Sequence, residues 1–361
     1  MFSKIKDLFL ITKKKYKYVI FSENKFYQKY FLNFAKSLAS HNEVVYLSCD
    51  QSDRIDYKNI TNIYIGKKPF NLIFLNILRC NNFFMTLTDL NNHFFKKNKN
   101  VENYIYIFHS LISIHKGYTS SAFDNYDIVF CPGKKHKQEL LKSEEVNNSK
   151  KKNLYEIGYF YLDYLKSIKQ EDFNSNTILI APSWNYADEN FTELILEKLI
   201  TKILENNYKI IFRPHPEQIK RQRSTIEKIN QKFKKFLNYT YDINKDNLDS
   251  LIKAKIVITD NSGIAIEAIL GLKKPVIYCD KYLKIHNQNY EKISSQSLED
   301  EIKENFGVII NDFDAINFKN LISYTEENLK SKKLQIDEFV KKEIYNSNDS
   351  VIKAIELIKE N

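Results

Sequence analysis

Short apolar runs of strand length alternate with longer amphipathic stretches through most of the chain. Tyr18–Ser22, Glu43–Cys49, Asn59–Ile65, Phe83–Leu87, Asn103–Phe108 and Asp127–Cys131 read as strands. Between them, Lys25–Ser40 sets Phe26, Tyr30, Phe34 and Leu38 on one helical face; Asn71–Leu78 is helical, and Lys134–Leu141 is a lysine-rich helix. Lys142–Lys152 is polar and reads as a loop, and Tyr155–Tyr159 leading to Leu162-Asp163 closes this half. Such alternation is the signature of a parallel, doubly wound α/β sheet.

The pattern then starts again. Ser167–Asn176 is polar and charged and reads as an interdomain linker. Beyond it, Thr177–Pro182, Ile210–Phe212, Tyr239–Ile243, Ile256–Thr259, Lys274–Cys279 and Phe306–Ile310 read as strands. Phe191–Glu205, Gln218–Leu237, Asn247–Lys253 and the chain from Ala315 onward read as helices. The 361 residues are long for one core. The division expected is 1–168 and 174–330, with the helices of 331–361 packing back on the first domain.

Composition narrows the function classes. A hydrophobic fraction of 43% with 14% aromatics is ample for folded cores and argues against disorder. The net charge of +10 is almost all lysine, because the only arginines are Arg54, Arg79, Arg213, Arg221 and Arg223. Lysine, asparagine and isoleucine richness with only 7 glycines fits an A/T-rich genome, so most of the charge reads as solvated surface. Attraction to anionic substrates, nucleic acid or a membrane is the functional alternative. Cys49, Cys80, Cys131 and Cys279 are scattered, without ligand spacing, and read as buried hydrophobes in a reducing cytosol. No apolar run approaches the roughly 20 residues of a membrane span. Met1–Lys17 carries Phe2, Ile5, Leu8 and Phe9 at helical spacing among lysines, which suits either peripheral contact with an anionic membrane or packing on its own domain. No GxGxxG, Walker A, HExxH or Cys/His cluster occurs, so the expectation is no metal and no tightly bound cofactor. Lysines without base-stacking motifs do not make a nucleic-acid module.

Two strand ends carry the candidate chemistry. Ile210–Phe212 stops at Arg213-Pro214-His215-Pro216, where two prolines fix the backbone around a guanidinium and an imidazole. The arginine fork suits phosphate; a carboxylate bridge, or a histidine capping a loop, are the structural alternatives. Ile256–Thr259 stops at Asp260-Asn261-Ser262-Gly263, which serves either as a plain helix cap or as an anion site at a helix N-terminus. Gly263 permits close backbone approach, and Glu267 one turn on could face a ribose hydroxyl pair. Ser183-Trp184 follows another strand, where the single Trp is either structural or a pocket wall. His109 ends a strand of the first domain and is either structural or catalytic, with His115 and Lys116 nearby. Ligands in open α/β sheets bind beyond the carboxyl ends of strands, so these ends predict one shared site.

Taken in order, FHS…KGY…FDNYDIVFCPG (Phe108–Gly133), IGYFYLD (Ile157–Asp163), ILIAPSW (Ile178–Trp184), FRPHP (Phe212–Pro216) and ITDNSGIAIEA…KKPVIY (Ile258–Tyr278) resemble the CDP-glycerol glycerophosphotransferase family of teichoic-acid and capsule-type transferases. The resemblance implies a GT-B architecture, two Rossmann-like domains facing across a cleft, the first for the acceptor and the second for the nucleotide donor. It implies transfer of a polyol phosphate from a CDP-activated donor to a polysaccharide or lipid-linked hydroxyl, with CMP released at the cytoplasmic face of the membrane. By position, His109 matches the family's general base; Arg213, His215 and Ser262 match its donor-pyrophosphate set; Asp260 shapes that loop, and Glu267 stands near the nucleotide. Two motifs depart: His-Gly-Thr is His109-Ser110-Leu111 here, and Asp-x-Ser-Ser ends in Gly263. The alternative is a GT-B glycosyltransferase using a UDP-sugar or CMP-Kdo in capsule or lipopolysaccharide synthesis.

Overall fold

The computed structural model describes residues 14–66, 70–91, 95–169, 175–184, 191–279, 285–311 and 317–360. Most of the basic stretch Met1–Lys17, the centre of the linker and the start of the expected helix at Ala315 lie outside the described residues. Among the described residues no helix is long and apolar enough to cross a membrane.

Two parallel sheets form. The first holds β1 (Tyr16–Ser22), β2 (Val44–Ser48), β3 (Ile60–Tyr64), β4 (Cys80–Met85), β5 (Val101–Ile107), β6 (Ile128–Cys131) and β7 (Asn153–Glu156), in the order β3-β2-β1-β4-β5-β6-β7. The second holds β8 (Thr177–Ile180), β9 (Lys209–Phe212), β10 (Tyr239–Tyr241), β11 (Ile256–Thr259), β12 (Val276–Cys279) and β13 (Val308–Ile310), in the order β10-β9-β8-β11-β12-β13. Helices cover both faces, which is why the strands are near-continuous apolar runs rather than alternating ones. The winding reverses between β8 and β11, and a topological switch point of that kind is where such folds bind ligands.

Local differences from the sequence pattern have identifiable causes. The helix Lys134–Asn147 runs six residues beyond the expected Leu141, because Ser143 and Glu144 turn inward and Glu144 pairs with Lys152 at 3.1 Å. Lys142–Lys152 is therefore only partly loop. Gln222 divides the expected Gln218–Leu237 helix into Pro216–Arg221 and Arg223–Phe233. The C-terminal helical stretch breaks between Phe318–Glu343 and Ser350–Glu360, where Asn346 and Asn348 adopt left-handed φ of 40° and 81°.

The last helix packs into the first domain's core: Ala354, Ile355 and Ile358 join Phe34 and Phe160, whose rings stack at 5.1 Å. Each buried Ile or Phe among them is worth about 1.5–3 kcal/mol. Asp163 anchors the crossing by accepting from the Asn348 N–H (2.7 Å) and the Ser350 N–H (3.0 Å). Gly158 makes room for it, with φ +103° and a β-carbon position only 2.3 Å from the Tyr345 carbonyl oxygen. The two sheets also share a core, since Leu162 and Leu165 of the first domain pack with Ala265, Ile266 and Ile269 of the second.

Candidate functional site

The site is built where strand ends of the two domains converge. In the second domain, Asp260 lies just past β11 and accepts from the Ser183 N–H and the Ser183 hydroxyl, both at 2.7 Å. Ser183 follows neighbouring β8, so this carboxylate ties together the two loops at the switch point. The chain then enters the helix Gly263–Ile266, continuing as a π-turn over Glu267–Gly271. Ser262 has the extended backbone of an N-cap, yet its hydroxyl makes no capping bond. The first-turn N–H groups thus lack a side-chain acceptor from the cap residue, an arrangement that suits an incoming anion.

His215 caps the helix Pro216–Arg221, its Nδ1 accepting from the Glu217 N–H at 3.1 Å. That bond fixes the ring as the Nε2–H tautomer, a donor. Arg213 donates from Nη1 to Asp242 Oδ2 (2.6 Å) and from Nη2 to the Asn244 carbonyl (2.7 Å). A carboxylate bridge therefore holds the guanidinium, and three of its five N–H donors remain beyond those two bonds. Trp184 lies beside the rings of His286 (4.9 Å) and His215 (6.3 Å), with the Arg221 guanidinium 5.1 Å over it.

In the first domain, His109 follows β5 inside an aromatic cage. Tyr27, Tyr30 and Tyr118 surround the ring at 5.3, 6.1 and 6.2 Å, and Tyr106 Oη is 3.2 Å from Nδ1. Burial among these rings pushes the imidazole pKa down to about 4, only partly offset by the Thr86 carbonyl. The ring is neutral at physiological pH, the form a general base requires.

The two halves meet at Ser110. Its hydroxyl lies 2.6 Å from the point a β-carbon on Gly263 would occupy, so a side chain there requires the Ser110 hydroxyl to rotate out of the gap. Gly263→Ala is expected to force the Ser110 hydroxyl into another rotamer and slow turnover roughly twofold to tenfold. Adding Ser110→Ala, whose β-carbon is 3.8 Å from the same point, is expected to restore most of that loss. Steady-state kinetics on both variants check this; an unimpaired single variant, or an unrescued double one, refutes it.

Glu267 sits deeper. It is 4% exposed and accepts from Tyr159 Oη (3.4 Å) and Asn247 Nδ2 (3.3 Å). Burial raises its carboxyl pKa, against the pull of Lys29. Lys29 bonds Asn247 Oδ1 and lies over the rings of Tyr30 (4.9 Å) and Tyr161 (4.6 Å). The domains are pinned on both flanks: Lys245 reaches Asp50 (2.5 Å) and Ser52 (2.7 Å), while Glu299 accepts from the Ser113 N–H and hydroxyl at 2.8 and 2.6 Å. Lys116 pairs with Asp300 on that second flank, and His115 is fully buried against Glu139 at 2.9 Å. Among the described residues no three His, Cys, Asp or Glu converge as metal ligands.

Lys29, Asn247, Asp242 and the tyrosine cage were not singled out from sequence. Tyr30 was read only as an apolar helix position; its hydroxyl end, three residues from Tyr27 on the same turn, was the one available signal.

Two parallel-sheet domains with phosphate-suited strand ends on one and a caged histidine on the other make a GT-B architecture. The model of the CDP-glycerol:poly(glycerophosphate) glycerophosphotransferase family matches residues 9–357, and the chain belongs to that family. No curated protein matches the sequence. Among solved structures, the wall teichoic acid polymerase TagF superposes with TM-score 0.59 at 14% identity, over 99% of this chain and 93% of that one. UDP-GlcNAc 2-epimerase of Methanocaldococcus jannaschii in complex with UDP-GlcNAc and UDP gives 0.53 at 12%, over 96% and 100%. A glycosyltransferase of Rickettsia africae gives 0.53 at 12%, over 96% and 98%. At these identities the superpositions establish the fold.

Proposed function

We propose that the chain transfers glycerol phosphate from CDP-glycerol to a hydroxyl of a polysaccharide or lipid-linked acceptor at the cytoplasmic face of the membrane. The observation that supports this most is the approach of the His109-Ser110 loop to the Ser262–Gly263 helix start from opposite domains. It sets a neutral base beside an anion site. His109 takes the acceptor proton as the hydroxyl oxygen attacks the phosphorus bearing glycerol. The new O–P bond forms, the P–O bond to the cytidine-bearing phosphate breaks, and CMP leaves with that electron pair. His215 Nε2–H, the remaining Arg213 donors and the helix N–H groups meet the charge that develops on CMP; fixed donors of this kind supply much of an enzyme's rate gain. Asp260 holds the Ser183-Trp184 loop in place for the nucleotide.

The test is thermal-shift binding of CDP-glycerol, CDP-ribitol, CMP, CMP-Kdo and UDP-sugars, followed by assay for released CMP. Stabilisation by CDP-glycerol with CMP release on adding acceptor is expected. Stabilisation by UDP-sugars or CMP-Kdo alone would replace the reading with glycosyl transfer.

A further inference from the structure

A second charged feature lies far from the cleft. At the amino ends of β11 and β12, on the opposite side of the second sheet from the candidate site, a cavity of about 270 Å³ opens beside the interdomain connection. Its lining includes six lysines, Lys169, Lys255, Lys273, Lys274, Lys330 and Lys333, against one carboxylate, Glu326. Chain-wide the ratio of basic to acidic side chains is 55 to 45, so this concentration exceeds the general lysine bias.

Three of the lysines are occupied. Lys255 pairs with Glu326 at 3.1 Å, Lys273 with Asp337, and Lys274 gives its ammonium to the Ile252 and Ala254 carbonyls. Lys169, Lys330 and Lys333 are exposed and have no carboxylate partner among the described residues. Like charges held around one cavity repel, and a ligand with several negative charges relieves that cost. No arginine lines the cavity. Flexible point charges without a planar fork suit a repeating, loosely oriented anion better than one carboxylate held bidentately.

We propose that this cavity binds a multiply charged phosphate-ester anion, in the cell a phosphodiester stretch of the acceptor or product chain. The anion site stands on its own residues; the identity of the natural anion rests on the transfer reading above. The location fits a hold on polymer away from the chemistry. The helix beginning at Gly263 runs through its π-turn to end at the cavity's edge. The cavity also touches the interdomain connection at Lys169 and the long helix Phe318–Glu343 at Lys330 and Lys333, which together join the domains.

The experiment titrates inorganic tripolyphosphate into the full chain by calorimetry and follows acetylation of each lysine by mass spectrometry. Tripolyphosphate is expected to slow acetylation of Lys169, Lys330 and Lys333 and to bind more weakly as salt rises. The triple variant Lys169→Gln/Lys330→Gln/Lys333→Gln is expected to bind roughly tenfold or more weakly, since each exposed ion pair lost weakens binding by up to about fivefold. CDP-glycerol affinity is expected to be unchanged in it. Equal binding by wild type and triple variant, or no protection of the three lysines, overturns the proposal. So does loss of tripolyphosphate binding in Arg213→Ala instead, which would place the anion in the cleft. Protection by phosphatidylglycerol vesicles but not by tripolyphosphate overturns it in favour of a membrane surface. Tripolyphosphate binding at these lysines in a chain that ignores CDP-glycerol would uphold the site while refuting the transfer reading.

Discussion

His109→Asn is expected to lower turnover by about 10²–10⁴-fold while nucleotide affinity and melting temperature near neutrality stay close to wild type. The expectation follows from the tyrosine cage. Tyr106 meets Nδ1, and three further tyrosine rings crowd the imidazole, so the charged form is disfavoured and the pKa falls to about 4. For a base, activity in kcat/KM rises with pH through that value and is flat from pH 6 to 8. A limb at or above 6.5 in the free enzyme would contradict the cage argument. Stability gives a second readout. Between pH 4 and 6.5 an unfolded histidine binds more protons than this folded one, so wild-type stability climbs with pH across that window. Removing His109 flattens the climb without abolishing it, because buried His136 is shifted in the same direction. A variant that keeps more than about a tenth of wild-type turnover would remove His109 from the chemistry.

The strand–helix alternation was legible because parallel strands buried on both faces are apolar throughout. Ile256–Thr259 and Val276–Cys279 are fully buried in sequence as in space. Strand ends were legible too, since a run that stops at Arg213-Pro214-His215 or Asp260-Asn261-Ser262 changes character within one residue. What sequence could not show is what each polar end touches. Arg213 and Asp242 are 29 residues apart, and Lys29 and Asn247 are 218 apart; no local pattern links them. Glu267 illustrates the limit. Its place one turn into the helix was evident, but its enclosure by Tyr159 and Asn247 depends on how the domains close on each other. The helix beyond Leu141 was missed for a related reason: Ser143 and Glu144 are polar, and their burial depends on Asn147 donating to the Ser143 hydroxyl and on the Lys152 ammonium and N–H meeting Glu144.

Arg213→Ala is expected to lower kcat/KM for the donor by about 10²–10³-fold and to cost about 2–3 kcal/mol of stability. The two losses have separate origins. Stability falls because Asp242, 5% exposed on its carboxylate side chain, loses its guanidinium and keeps only the Ser250 hydroxyl and the Asn244 N–H. Burial alone would raise the Asp242 pKa, but those hydrogen bonds and the Arg213 charge outweigh it and hold it below the usual value. A depressed carboxyl stabilises the fold above about pH 4 and loses that contribution as pH falls through its folded pKa. Without Arg213 the Asp242 pKa rises, so acid unfolding is expected to begin at higher pH. Urea melts across pH 3–7 measure that shift. On the proposed role of Arg213, activity falls because the remaining guanidinium donors no longer meet the diphosphate. Asp242→Asn separates the two: it weakens the brace yet leaves the guanidinium, so it is expected to lose comparable stability with a far smaller loss in kcat/KM. If both variants lose stability and activity in equal proportion, Arg213 is a strut for the Asn244 loop, and the charge on the leaving CMP is met by His215 and the helix N-terminus alone.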